Sequence, residues 1–428
     1  MRLYTPSFSV FYHRVSSLLR QMILLFFIAS ILGCARQVNE PAKAVGFVSV
    51  SEDNIAKVGE KIFQNGGNAA DAMSAMLMEG SVSLPSRMGL GAGGICQVLD
   101  PSSGHVKTLD FLSRPMSFDY QIGVPALVKG VYTLQNKYGR KPWAEILDNP
   151  IQKAQNGIKI SETLAKDILT ASGLDSSWKS LKKGDVLKQP KLAKTLKALA
   201  SSGAGALYKG ELAEAIVSQS EQIILENLKN FKVSFMDSID VSDAVGKTYF
   251  PNPTILSSDG YMIWRNAQSI QGKRQEQAQK DMEKLENSFS DIHVQGVSLA
   301  SADTSGLVIT CNVSMGNVFG SSQLTEQGFY LGQTIKYQDM PAIFANILQT
   351  NPDITDMTKI ILSVGNYALV DALNYFSLTV NEKFLLNLSD NEERMEKLNF
   401  ISCEKGYPNH ASSCLENENL HFIYPKID

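Results

Sequence analysis

Histidine is scarce in this sequence. The 428 residues hold five, His13, His105, His293, His410 and His421, and no two stand at a metal-sharing spacing. Neither a zinc site nor a histidine-based catalytic triad is expected. Charge of one sign is missing too. Lysine and arginine number 40 against 43 acidic residues, a net charge of −3. No basic stripe interleaved with aromatics offers a surface to nucleic acid. Cysteine is sparse, five in all, and no Cys-x-x-Cys marks a redox or zinc motif. Nothing here calls for a cofactor. What remains is an ordinary globular balance, 44% hydrophobic and 19% charged, in a chain long enough to bury a large core.

The N-terminus carries a message of its own. Arg14 and Arg20 precede the apolar run "QMILLFFIASILGC", which ends at Cys34. A charged start and a short apolar stretch read as a signal peptide over 1–34, too short for a comfortable membrane span. Ile31-Leu32-Gly33-Cys34 resembles the bacterial lipobox, in which the cysteine is lipidated. A plain signal peptide or an anchor helix with a chance cysteine is the alternative. Ala35 rather than aspartate follows, so the expected location is the periplasmic side of the outer membrane, with residues 35–43 as a tether. Export places the chain where thiols oxidise. Cys403 and Cys414 flank "EKGYPNHASS" and are candidates for a disulfide, whereas Cys96 and Cys311 lie in apolar runs and are expected to be small core residues.

From Val45 the pattern alternates between strand and helix. "AVGFVSVS" reads as a buried strand, and "NIAKVGEKIFQNGG" as a helix with a Gly-Gly stop. "NAADAMSAMLMEGSV" restarts a helix. "GICQVLD" and "HVKTLDFL" read as a hairpin through Pro101-Ser102-Ser103-Gly104. Four amphipathic helices are expected between Gly123 and Ser220. A polar stretch from Tyr261 to Asp291 reads as an exposed helix or linker. A second hairpin starts at Gln295 and turns at Asp303-Thr304-Ser305-Gly306.

Several of these segments, in order, resemble the gamma-glutamyltranspeptidase family. They are "GGNAADAMSAM", "SLPSRMGLGAGGICQVLD", "GVPALVKGVYTLQNKYGRKPWAEIL" and "KKGDVLKQPKLAKTLKALASSGAGALYKGELAEAI". The resemblance implies an α/β chain, an α+β sandwich of four layers, αββα, of the N-terminal-nucleophile hydrolase type. Residues 44–294 would correspond to the family's large subunit and 295–400 to its small subunit, within one domain, with a C-terminal tail over 401–428. Family members are made as one chain and cut themselves before a threonine. That threonine attacks the γ-glutamyl carbonyl of glutathione or a related amide, with its own α-amino group as base. A small γ-glutamyl compound is the implied ligand.

The chemistry then fails to line up. Counting back from the turn puts the nucleophile position at Gly296, beside Val297. Self-cleavage starts with an acyl shift to a hydroxyl or thiol, which neither residue has. Thr304 and Ser298 are the substitute nucleophiles the sequence offers, with Ser301 weaker. The carboxylate-binding arginine position is Leu112, with Arg114 two residues on. The family's serine pair appears as Gln338-Asp339, whose aspartate would repel a carboxylate. Gly365 and Asn366 stand for the oxyanion pair. Two readings follow: hydrolysis or transfer of a γ-glutamyl group, or an uncut homologue acting as a binding or envelope-interaction module.

Overall fold

The alternation in the sequence becomes two large antiparallel sheets. The computed structural model describes residues 44–117, 120–242, 246–252, 294–334, 344–365, 368–369, 371–373, 398–415 and 419–424, with four helical positions between 277 and 284. The strands before the second hairpin are β1 (Gly46–Ser49), β2 (Gly93–Asp100), β3 (His105–Phe111), β4 (Ile158–Lys159), β5 (Val186–Leu187), β6 (Ser234–Asp237), β7 (Ile239–Ser242) and β8 (Lys247–Phe250). Those after it are β9 (Gly296–Asp303), β10 (Val308–Ser314), β11 (Phe344–Thr350), β12 (Met357–Val364), β13 (Asn399–Tyr407) and β14 (Leu420–Ile423). One sheet runs β14-β1-β9-β10-β2-β3-β6 and the other β13-β12-β11-β8-β7, while β4 and β5 pair alone.

Successive side chains on a strand point to opposite faces, and the two faces of the seven-stranded sheet have different partners. Val48, Val98, Leu299 and Ile309 pack with Met73, Met76 and Leu77 of the Ala69–Ser83 helix. On the other face Phe47, Leu99, Ala300 and Ala302 meet Leu348, Met357, Ile360 and Leu362 of the five-stranded sheet. The outer face of that second sheet, through Ala345, Ile347 and Ile361, is covered by the helical residues Ala368, Leu369, Ala372 and Leu373. The order is helix, sheet, sheet, helix, the αββα arrangement expected. Two polar side chains of β10 tie the sheets together. Thr310 Oγ1 donates to Asn346 Oδ1 at 2.8 Å, and Asn312 Nδ2 donates to Ala345 O at 2.6 Å.

The "GGNAAD" motif builds a hub. Asn68 caps the Ala69–Ser83 helix, accepting from the Asp71 N–H, while Asp71 Oδ2 accepts from the Asn68 N–H at 2.9 Å. Asp71 Oδ1 also accepts from Gln135 Nε2 and from the backbone N–H groups of Arg140 and Lys141. The buried Asp303 at the end of β9 takes the Ala69 N–H at 3.0 Å. One aspartate therefore fixes the helix start against "YGRKPW", and a second fixes it against β9.

Two expectations need correction. Cys96 and Cys311 are buried, as expected, but they are joined as a disulfide, directly opposite each other on β2 and β10. Sequence hides this pairing because the two lie 215 residues apart. Closing so long a loop is worth about 5 kcal/mol in the chain-entropy account. The bond also spans the Gln295–Gly296 junction, so the chain on either side stays covalently joined. The second correction concerns residues 401–428. They hold most of β13 and all of β14, edge strands of the two sheets, rather than a tail. Cys403 and Cys414 are disulfide-bonded within this region. Residues 1–43, where a signal peptide, Cys34 and a tether are expected, and most of the stretch before β9 lie outside the described residues.

Glu79 is 1% exposed on the Ala69–Ser83 helix, with Asn149 Nδ2 donating to its Oε2 at 2.7 Å. Burial pushes its pKa from the usual 4.5 to about 7, outweighing the lowering by Asn149 and Lys153. Between those two values the folded chain holds a proton the unfolded chain has lost, so stability falls as pH rises through that window. Glu79→Gln is expected to flatten this decline and to stabilise the chain at pH 8 by on the order of 2–3 kcal/mol. Urea unfolding of both proteins at pH 5 and pH 8 measures it.

Candidate active site

β9 lies inside the seven-stranded sheet, between β1 and β10. Its first residue, Gly296, faces the second sheet, in step with Ala300 and Ala302. The preceding Gln295 bridges to Gly365, just past β12. The position expected for the nucleophile and one of the expected oxyanion residues are thus brought together. Their surroundings leave no room for a side chain at 296. A Cβ on Gly296 would stand 2.3 Å from Val364 Cγ1 and 2.4 Å from the Val313 carbonyl oxygen. Gln295 is held on both sides of its backbone, its N–H donating to Gly316 O and its carbonyl accepting from Ser314 Oγ at 2.6 Å. Glycine is required at 296 because two neighbouring strands approach its Cα.

The adjoining cleft is filled with hydrocarbon. Ile95, Leu112, Val294, Phe344 and Val364 form one buried cluster, with Leu112 and Phe344 each 2% exposed. Leu112, at the position where the resemblance implies an arginine, is thus packed inside this apolar cluster. Arg114 does not replace that charge. Its guanidinium is held by Asp110, four residues back, and is not among the residues packed around Leu112. Asp110 Oδ1 also accepts the Leu112 N–H at 3.0 Å, fixing the turn that points the leucine inward.

The substitute nucleophiles fare no better. Thr304 is exposed in the hairpin turn at the far end of β9 from Gly296. Eight residues of strand put the two roughly 25 Å apart. The turn is set by Asp303, whose Oδ1 accepts from the Ser305 N–H at 2.8 Å, so Thr304 is a turn residue. Ser301 points to the helices and donates to Ala69 O. Ser298 faces the second sheet with its hydroxyl buried and without a partner, and no base stands against it among the described residues. Asn366 and Gln338-Asp339 lie outside the described residues.

One feature near Gly296 escaped the sequence reading. A cavity of about 120 Å³ opens beside residues 295–298, lined also by Ser51, Arg87, Asn399 and Asn419. Arg87 is held there by Asp167, Nε to Oδ2 and Nη2 to Oδ1, both at 2.8 Å. Ser86 Oγ donates to the same carboxylate at 2.6 Å. The available signal was a lone arginine inside the glycine-rich "SRMGLGAGG". Its partner, Asp167, lies 80 residues away.

These layers and this strand arrangement define an N-terminal-nucleophile hydrolase fold. The chain superposes on a solved cephalosporin acylase from Bacillus halodurans with a TM-score of 0.62 at 18% identity, covering 81% of this chain and 83% of that one. Residues 55–258 match the family model described as Gamma-glutamyltranspeptidase. That segment, somewhat under half of the chain, is similar to the gamma-glutamyltranspeptidase family. Among curated proteins it is 28% identical over 250 residues to "Glutathione hydrolase proenzyme" of Pseudomonas aeruginosa, covering 51% of this chain and 44% of that protein. It is 30% identical over 199 residues to "Capsule biosynthesis protein CapD proenzyme" of Bacillus anthracis, covering 44% and 37%. The matched stretch thus spans less than half of each relative.

Gly296→Thr is expected to leave the chain uncut and to destabilise it by about 1–3 kcal/mol, the usual cost of overpacking. Adding Val364→Ala should recover part of that loss, because Val364 supplies the nearest atom. Thermal unfolding of the single and double variants checks this.

Proposed function

We propose that this chain is a non-catalytic member of its family that stays uncut and serves as a binding module at the cell envelope, tethered by a lipid on Cys34. The observation that carries the reading is the crowding at Gly296, with Val364 and the Val313 carbonyl where a side chain would project. Without a hydroxyl or thiol there, the acyl shift that opens the chain has no acceptor. Without the cut, no α-amino group is freed to act as base. The buried Leu112 and its apolar neighbours support the same reading, since a γ-glutamyl carboxylate brought among them would lose its hydration with no cation in return. "Glutathione hydrolase" describes the relatives; for this chain, glutathione turnover lacks the groups it needs.

Purified chain incubated with glutathione should release no glutamate above a protein-free blank. Glutamate release proportional to protein concentration, and lost on Thr304→Ala or Ser298→Ala, would overturn the reading and name the nucleophile.

A further inference from the structure

The cavity beside β9 has the makings of a binding site, and its construction says for what. Backbone groups along a strand alternate in direction. The Asp303 N–H reaches Leu307 O and the Gln295 N–H reaches Gly316 O, so odd-numbered residues of β9 turn their backbone groups towards β10. Even-numbered residues turn theirs the other way, to the flank where β1 lies. Ala302 and Ala300 meet Phe47 and Ser49 there, and then the ladder stops. Beyond Ser49 the chain keeps only its β14 side, the Val50 N–H donating to Asn419 O. Gly296 and Ser298 are left with their N–H and C=O groups facing the cavity rather than a neighbouring strand. A short stretch of strand edge is thus open inside a sheet.

What surrounds this edge is mixed: Val364 and Leu398 stand beside polar groups and one cation. Ser51, Asn399 and Asn419 line the cavity, and Arg87 stands in its wall. Asp167 engages Nε and Nη2 of Arg87, which fixes the guanidinium and leaves Nη1 for a ligand. The flank matters. Leu112 and Arg114 follow β3, on the β10 side of β9, whereas this cavity is on the β1 side.

We propose that this cavity binds the carboxyl-terminal residue of a peptide, or a free small amino acid. Its main chain would pair with Gly296 and Ser298 as an added strand, and its carboxylate would lie on Arg87. The size fits: about 120 Å³ accommodates one small residue and no large side chain. The inference rests on the uncut chain, because a break before Gly296 would dismantle the edge that forms the site.

Titration calorimetry on the full chain tests it with three probes: Ala-Ala-Ala, its carboxyl-terminal amide, and L-alanine. Ala-Ala-Ala or L-alanine is expected to bind, and the stronger of the two identifies peptide or free amino acid as the source. The amide is expected to bind at least tenfold more weakly than Ala-Ala-Ala. Ser51→Trp, at the exposed mouth, should abolish binding with an unchanged melting temperature. The pair Arg87→Gln with Asp167→Asn, which keeps a neutral hydrogen-bonded contact, should also abolish it. No binding of either carboxylate at roughly 10 mM, far above a useful Kd, overturns the proposal, as does equal binding of the amide or full binding by Ser51→Trp. The mass of the same sample under reducing conditions separates this failure from failure of the uncut-chain reading.

Discussion

The close approach of β9 to β12 at Gly296 governs the rest of this molecule. Val364 and the Val313 carbonyl occupy the space into which a side chain at 296 would project. That contact brings the two sheets close together at the start of β9. It also lets Val364 join Leu112, Val294 and Phe344 in one apolar cluster. A side chain at 296 and the apolar packing of Val364 therefore compete for one space. Restoring a hydroxyl would require moving a strand backbone, not exchanging one side chain.

The motifs that carry the family resemblance have structural work to do. Asn68 and Asp71 cap a core helix and bind the Arg140 and Lys141 backbone, so "GGNAAD" and "YGRKPW" are two halves of one contact. Gly93 sits where a Cβ would be 2.1 Å from the Ser113 N–H nitrogen, so the glycine-rich turn reflects backbone crowding. Asp303 holds both its own turn and the start of the Ala69–Ser83 helix. A chain can keep all of these whatever residue stands at 296. The Cys96–Cys311 bond adds a covalent link between β2 and β10, across the point where a cut would fall.

Much of this was legible in the sequence, for a physical reason. Hairpins and amphipathic helices are local, so β2–β3, β9–β10 and the helices from Leu127 to Val217 follow from period and turn chemistry. The missing hydroxyl at Gly296 was equally plain, because register within a hairpin is fixed by its turn. Long-range pairings were not. The Cys96–Cys311 bond, the Arg87–Asp167 clamp and the return of residues 420–423 beside β1 join segments distant in the chain, with no local pattern to announce them. The apolar filling of the cleft was half visible. Leu112 could be seen to replace an arginine, but its burial against Phe344 and Val364 depends on how the two sheets stack.

The central claim is that the chain remains whole, and the mass of the mature protein under reducing conditions tests it most directly. Reduction is needed because the Cys96–Cys311 bond would keep a cut chain together. The account predicts one undivided species after prolonged incubation. Two fragments, the second beginning at Thr304, Ser298 or any other hydroxyl-bearing residue, would contradict it.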